Sequence, residues 1–199
     1  MLKLWLIRHG MTEGNRHGRY IGVTDETLCQ QGRDSLALMA YPMPQAVYVS
    51  PLIRCTQTAG ILFPGKSLQI IDELSECHFG KFENKNYQEL SGDTDYQAWI
   101  DSNGTAPFPG GESREEFQSR TLKGFQKAVS DCIRRNLEDA ALVVHGGTIM
   151  NIMEEYCTVH RSFYEWHVKN GGGYLVELDK RDWINGRREL NLCYAFMEG

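Results

Sequence analysis

Residues 2–15, LKLWLIRHGMTEGN, decide how this 199-residue chain folds. The first six residues form a short apolar run typical of a buried strand, and the run ends abruptly at Arg8 and His9. Gly10 allows a sharp turn and a close approach of a ligand to the backbone, while Thr12 and Asn15 add hydrogen-bonding groups. The stretch therefore predicts a strand whose end presents a cation and an imidazole to an anion.

Two later stretches repeat this arrangement of a strand, a turn and a helix. The strand predicted over 45–49 ends at a Ser-Pro pair, and the helix that follows over 52–62 carries Arg54 in its first turn. The strand predicted over 140–144 ends at His145, ahead of a helix over 149–156. Each strand end thus carries a cationic or titratable side chain.

The alternation of strands and helices predicts an α/β fold, a three-layer α/β/α sandwich with a mostly parallel sheet. The remaining elements are predicted over 68–71, 113–136, 171–178 and 188–196, the last as an antiparallel edge strand. Length favours a single domain over 1–199. A polar, broken stretch over about 84–111 is expected to form a small helical cap insertion over the ligand pocket.

Composition restricts the partners. Hydrophobic residues make up 41% and charged residues 24% of the chain, and the net charge of -5 argues against a nucleic-acid or anionic-membrane binder. Six scattered cysteines form no Cys-x-x-Cys pair, which favours reduced thiols and a cytoplasmic location. The N-terminal apolar run is too short for a signal peptide, and no stretch is long enough to cross a bilayer. Oligomeric state is not predicted.

Four residues at strand ends, Arg8, His9, Arg54 and His145, are expected to share one basic pocket, because ligands bind outside the carboxyl ends of parallel strands. Guanidinium groups bind phosphate oxygens with charge-assisted, bidentate hydrogen bonds. The sequence contains neither an acidic cluster suited to magnesium nor a zinc motif, so no metal and no cofactor are predicted. The pocket indicates phosphoryl transfer with a nucleophile supplied by the protein.

A proton donor is expected in the segment over 72–83, where acidic residues alternate with aromatic ones. Glu76 lies close to Phe79 and Phe82 in this segment, and a carboxyl group desolvated by aromatic rings holds its proton near neutral pH. Glu76 is therefore the candidate general acid.

The chain resembles the histidine phosphatases of the phosphoglycerate mutase-like superfamily. The matching motifs are RHGxTxxN at 8–15, GxxDxxL at 22–28, SPLxRxxQTA at 50–59, ExxFGxFE at 76–83, PGGES at 109–113 and HGG at 145–147. They follow the order found in that family and cover nearly the whole chain.

The resemblance implies a role for each matching residue. His9 would attack phosphorus and form a phosphohistidine, and Glu76 would protonate the leaving alcohol and then deprotonate the attacking water. The groups expected to hold the phosphoryl oxygens are Arg8, Arg54 and His145. The residues expected to orient or contact substrate are Asn15, Ile21, Gly22 and Gly146.

The acid segment at 76–83 resembles the form found in small phosphatases of the α-ribazole phosphatase group, rather than the form found in glycolytic mutases. This resemblance implies a histidine acid-type phosphatase, a phosphoric monoester hydrolase, acting on a small-molecule phosphate such as α-ribazole phosphate. Three alternatives stay open: a cofactor-dependent phosphoglycerate mutase, a protein phosphatase acting on phosphohistidine or phosphotyrosine, and a non-catalytic binding module.

Overall fold

The computed structural model describes residues 1–196. Its strands are β1 (Leu2–Arg8), β2 (Ala46–Val49), β3 (Leu68–Ile70), β4 (Asp139–Val144), β5 (Gly173–Leu178) and β6 (Asn191–Phe196). Its α-helices are α1 (Glu13–Arg16), α2 (Gln30–Ala37), α3 (Ile53–Leu62), α4 (Thr94–Asp101), α5 (Arg114–Arg134), α6 (Gly146–Tyr156) and α7 (Lys180–Ile184). Short 3₁₀ turns occur at Asp72–Leu74, Gly80–Phe82 and Phe163–Trp166.

The strands form one sheet in the order β3-β2-β4-β1-β5-β6. The neighbours from β3 to β1 run parallel, whereas β5 pairs antiparallel with both β1 and β6. Arg8 pairs with Val144, so the carboxyl ends of β1 and β4 lie side by side. This confirms the α/β class and the mostly parallel sheet with an antiparallel edge, and it brings His9 beside His145.

Apolar side chains cover both faces of the sheet, which confirms the predicted three layers. On one face Leu142 of β4 belongs to a cluster with Phe125 of α5 and Ile152 of α6. On the other face Val143 packs with Ala59 of α3 and with residues of α2. Successive residues of β4 point to opposite layers, as the two-residue repeat of a strand requires. In the described part of the chain, no helix is both long and apolar enough to span a bilayer.

The prediction for α6 was wrong at its start. The helix begins at Gly146, directly after His145, and not at residue 149. Glycines disfavour helix interiors, and therefore the pair at 146–147 indicated a turn. Packing overrides this propensity, because a Cβ on Gly147 would lie 2.6 Å from Oε1 of Glu76 and 2.9 Å from the Phe117 ring. The helix thus presents its first amides to the carboxyl group of Glu76.

The stretch over 84–111 contains α4, which begins after an N-cap at Asp93 whose side chain accepts hydrogen bonds from the next helical amides. Aromatic side chains join this segment to the rest of the molecule. Trp99 stacks on Phe108, with 5.3 Å between ring centroids, and lies edge-on to Phe82. Tyr20 contacts the same rings from the loop after α1. The segment therefore lies over the cleft beside Glu76 rather than over the sheet.

Candidate active site

His9 directly follows β1, and its ring has a defined tautomer. Nδ1 lies 2.7 Å from the carbonyl oxygen of Gly10, and since a carbonyl only accepts, Nδ1 carries the proton and Nε2 carries the lone pair. The turn is held by the Gly10 amide, which donates to Oγ1 of Thr58 at 2.9 Å. Burial, followed by the charges of Arg54 and Arg8, holds the pKa of His9 well below its usual value. The imidazole therefore favours its neutral form, with an unprotonated Nε2.

His145 lies against His9, with 5.2 Å between the ring centroids. Its Nε2 is 2.7 Å from Oγ of Ser50, the residue directly after β2. Burial and the nearby charge of Arg54 lower the pKa of His145 well below its usual value. The residue before α6 is thus a second neutral imidazole facing the same pocket.

Arg54 is fully buried in the first turn of α3 and holds the loop after residue 20. Its guanidinium donates to the carbonyl oxygens of Thr24 at 2.8 Å, Gly22 at 2.8 Å and Ile21 at 3.3 Å. The Gly22 amide in turn donates to Glu83 at 3.2 Å. These backbone groups of Ile21 and Gly22 are engaged inside the protein, so the structure gives them a role in supporting Arg54.

Arg8 is anchored on its outer side by the segment before β5. Its Nη1 donates to the carbonyl oxygen of Val168 at 2.7 Å and lies 3.4 Å from Nε2 of His167. Its Nε is buried and has no acceptor among residues 1–196, and the same is true of Nε of Arg54. A Cβ on Gly146 would lie 3.5 Å from Nε of Arg8. Two buried guanidinium donors without acceptors suit an oxyanion.

Glu76 is buried, and it lies close enough to Arg54 and Arg8 for their charges to act on its carboxyl group. Its Oε1 accepts from the amide of Cys77 at 2.9 Å and its Oε2 accepts from the amide of Gly147 at 3.2 Å. Burial raises the pKa of Glu76 above its usual value, although these hydrogen bonds and the charge of Arg54 act in the opposite direction. The carboxyl group therefore keeps its proton to higher pH than an exposed glutamate.

The aromatic surroundings of Glu76 differ in part from the prediction. Phe79 lines the cleft next to Glu76, as expected. Phe82 is fully buried and packs instead on Tyr96, with 5.3 Å between centroids. Phe117 of α5 takes its place in the cleft lining. Sequence gave no signal for Phe117, because it lies about forty residues further along and the contact depends on the packing of α5.

Asn15 lies in α1 and is tied to the segment before β5. Its Oδ1 accepts from the amide of Thr12 at 3.3 Å and from Nδ2 of Asn170 at 3.1 Å. Asn170 also donates to the carbonyl oxygen of His9 at 3.1 Å. Sequence reasoning missed Asn170, His167 and Ser50; only the position of Ser50 at a strand end could have marked it.

A cleft of about 240 Å³ lies between Glu76 and the segment 84–111, and Arg8 and Gly146 of the basic pocket also line it. The residues that line it are Arg8, Tyr20, Glu76, Cys77, Phe79, Trp99, Gly104, Phe108, Arg114, Phe117, Gly146, Gly147, Met150, Phe163, Tyr164 and His167. Most of these side chains are apolar, with polar groups at a few positions, as in sites that bind small organic molecules. Among residues 1–196, no group of three His, Cys, Asp or Glu side chains is arranged to hold a metal ion.

Comparison with known proteins places this arrangement in a family. A family model described as the histidine phosphatase superfamily (branch 1) matches residues 4–189, and the chain belongs to this superfamily. It is 32% identical over 198 residues to the adenosylcobalamin/alpha-ribazole phosphatase of Escherichia coli K12, with 96% of each chain covered. It is 28% identical over 193 residues to phosphoserine phosphatase 1 of Hydrogenobacter thermophilus, covering 91% of this chain and 89% of that protein.

A solved structure confirms the fold. The crystal structure of the alpha-ribazole phosphatase from Shigella flexneri superposes with a TM-score of 0.83, at 23% sequence identity, over 99% of this chain and 96% of that one. The superfamily and its phosphatase-named members support an enzyme of the phosphatase and mutase type acting on small phosphate esters.

Proposed function

We propose that this chain is a metal-independent phosphomonoester hydrolase that works through a phosphohistidine on His9. The observation that carries the proposal is that burial shifts the pKa values of His9 and Glu76 in opposite directions. The Gly10 carbonyl fixes His9 with a free Nε2 lone pair, and the buried Glu76, near the charges of Arg54 and Arg8, has a raised pKa. A neutral imidazole and a carboxyl group that favours its protonated form suit displacement at phosphorus with protonation of the leaving oxygen.

In the first step, Nε2 of His9 attacks phosphorus and forms a P–N bond while the bond from phosphorus to the ester oxygen breaks. Glu76 gives its proton to the departing oxygen, and the alcohol leaves. The buried Nε donors of Arg8 and Arg54 bind the phosphoryl oxygens and stabilise the charge that develops on them. His145, which lies 5.2 Å from His9 between ring centroids, borders the same group.

In the second step, water attacks phosphorus and the P–N bond breaks. Glu76, now a carboxylate, takes a proton from this water, and inorganic phosphate and neutral His9 are released. Asn15 would orient the phosphoryl group through its side-chain amide, and Gly146 would contact it from the start of α6. A single carboxyl group thus serves as acid and then as base.

The substrate that the cleft supports best is a phosphate ester whose alcohol carries a flat apolar ring, such as α-ribazole phosphate. Aromatic rings line the cleft beside Glu76. Besides Arg8 of the phosphate site, the cleft is lined by one further arginine, Arg114, which is paired with both carboxylate oxygens of Glu154 at 3.0 and 2.8 Å. Phosphoserine, the substrate in one relative's name, carries an ammonium and a carboxylate, which this lining leaves without dedicated partners. The scattered free cysteines support the cytoplasmic location.

The test is hydrolysis of a panel of esters in EDTA by wild type, His9→Ala and His160→Ala. The panel contains α-ribazole phosphate, phosphoserine, 3-phosphoglycerate and a phosphotyrosine peptide. We expect phosphate release by wild type and by His160→Ala, whose exposed histidine serves as the matched control, and a loss of roughly 10³-fold or more in His9→Ala.

Four results would contradict the proposal. Isomerisation of phosphoglycerate without phosphate release would indicate a mutase. Preference for the peptide would indicate a protein phosphatase, and the absence of turnover by folded wild type would indicate a binding module. Undiminished activity in His9→Ala would show that the reaction does not proceed through a phosphohistidine on His9.

A further inference from the structure

Trp99 of α4 carries a hydrogen-bond donor that the protein itself does not use. Its indole Nε1 is buried and has no acceptor among residues 1–196, yet the side chain lines the cleft beside Glu76. The indole stacks on Tyr96 at 6.0 Å and on Phe108 at 5.3 Å between centroids, and these contacts restrict the orientation of the ring. A buried N–H without a partner is unfavourable, and an acceptor on a ligand would relieve this cost.

A second unused donor lies at the same end of the cleft. The Tyr164 hydroxyl makes no hydrogen bond to any part of the chain that the structure describes, and Tyr164 lines the cleft from the turn after α6. Partial burial raises the pKa of Tyr164, so the hydroxyl keeps its proton at neutral pH.

Gly104 brings the two donors together. A Cβ on Gly104 would lie 2.5 Å from the Tyr164 hydroxyl oxygen and 3.2 Å from Cζ2 of Trp99, and the residue has a φ of +73°. Both the close approach and the left-handed backbone require glycine here. The segment 84–111 and the turn after α6 therefore meet in the cleft, where the buried indole N–H of Trp99 and the hydroxyl of the exposed Tyr164 are both available as donors.

We propose that Trp99 Nε1–H and the Tyr164 hydroxyl form an acceptor subsite that binds a ring nitrogen of the substrate's leaving group. This proposal rests on the proposed function and narrows it from any flat ring to a heteroaromatic ring with an unprotonated nitrogen. The surrounding rings of Phe79, Phe108 and Tyr20 suit stacking on a flat ring, and the two donors fix its orientation. The subsite thus selects the alcohol and takes no part in the chemistry at phosphorus.

The experiment compares two substrates that differ in one atom. They are α-ribazole phosphate and an analogue that carries an indole in place of the benzimidazole. The analogue lacks the acceptor nitrogen, but its phosphate ester bond is the same. We expect Trp99→Phe, which keeps an aromatic ring and loses the N–H, to raise KM for the benzimidazole substrate roughly five- to tenfold. For the indole analogue KM should change less than about twofold, and kcat should be nearly unchanged for both.

Tyr87→Phe is the control, because it removes the hydroxyl of an exposed tyrosine from the same segment of the chain and Tyr87 does not line the cleft. It should leave the KM ratio of the two substrates unchanged. An equal rise of KM for both substrates in Trp99→Phe, or no rise for either, would overturn the subsite.

A binding arm separates this failure from failure of the proposed function. Calorimetric titration of His9→Ala with the two compounds reports the subsite without turnover. If wild type hydrolyses no ester, the hydrolase proposal fails. The subsite is still tested by the ratio of the dissociation constants of the two compounds, which is compared between His9→Ala and His9→Ala/Trp99→Phe. Equal ratios in these two proteins would exclude it.

Discussion

Burial acts in opposite directions on the two groups that the proposed chemistry needs. Desolvation disfavours the charged form of any side chain, so it lowers the pKa of His9 and raises the pKa of Glu76. The same environment therefore favours a lone pair on the imidazole and a proton on the carboxyl group, the two forms that attack at phosphorus and protonation of the leaving oxygen require.

Glu76→Gln tests this at the level of one residue. The amide cannot protonate a leaving alkoxide, so kcat/KM for an alkyl phosphate should fall roughly 10²–10⁴-fold. Wild-type kcat/KM should decline as pH rises through the raised pKa of Glu76, because only the protonated carboxyl group acts as the acid. The variant should lack this alkaline decline. The pH profile of kcat/KM measures both effects.

Glu115→Gln is the control for the pH profile, because Glu115 is an exposed carboxylate in the first turn of α5. It should retain the wild-type rate and the alkaline decline. An alkaline decline that persists in Glu76→Gln would assign it to another group.

At the level of elements, the start of α6 shows what local propensity could not supply. The strand ends that precede or carry Arg8, Arg54 and His145 were predicted from short apolar runs. In the structure these three residues lie at or just after the carboxyl ends of the neighbouring strands β1, β2 and β4. The helical state of Gly146 and Gly147 was not predicted, because it depends on Glu76 and Phe117 packing against them. A contact across some seventy residues leaves no periodic signal in the sequence.

Gly147→Ala should therefore damage the site while improving helix propensity. The added Cβ would lie 2.6 Å from Oε1 of Glu76, and a displacement of this kind costs up to about 10²-fold in rate. We expect kcat to fall at least roughly tenfold. Gly60→Ala in α3 is the matched control, because nothing lies within 4 Å of its added Cβ.

The control should keep kcat and raise the free energy of unfolding by about 0.5–1 kcal/mol, the usual gain for glycine to alanine in a helix. Steady-state kinetics and denaturant unfolding of both variants provide the measurements. Full activity in Gly147→Ala would show that Glu76 tolerates the displacement.

For the whole molecule, the buried pocket lowers the free energy of unfolding. Glu76 has a folded-state pKa above its unfolded value, so its contribution to stability is fully present below about pH 4.3 and is lost as pH rises through the folded pKa. His9 and His145 act at the other end: their lowered pKa values make the fold less stable as pH falls below about 6.5. The buried groups thus act in opposite directions: Glu76 lowers stability as pH rises above about 4.3, and the two histidines lower it as pH falls below about 6.5.

Glu76→Gln should accordingly be more stable than wild type at pH 8 and about equal to it at pH 4. The amide avoids the desolvation cost of a buried carboxylate, and in a chain of this size each kcal/mol corresponds to about 2–4 °C in Tm. Thermal unfolding at the two pH values measures the difference. A gain that is as large at pH 4 as at pH 8 would show that ionisation of Glu76 is not its source.

The sequence by itself determined the order of strands and helices and which residue types end the strands, because apolar periodicity and chain breaks are local properties. Only the tertiary structure decided which atoms are free. The free lone pair on Nε2 of His9 depends on a turn that a hydrogen bond to Thr58 holds in place. The position of the Arg8 guanidinium depends on its hydrogen bond to the carbonyl oxygen of Val168. The unused donor of Trp99 depends on the rings stacked on it. These contacts join distant parts of the chain, and no local pattern encodes them.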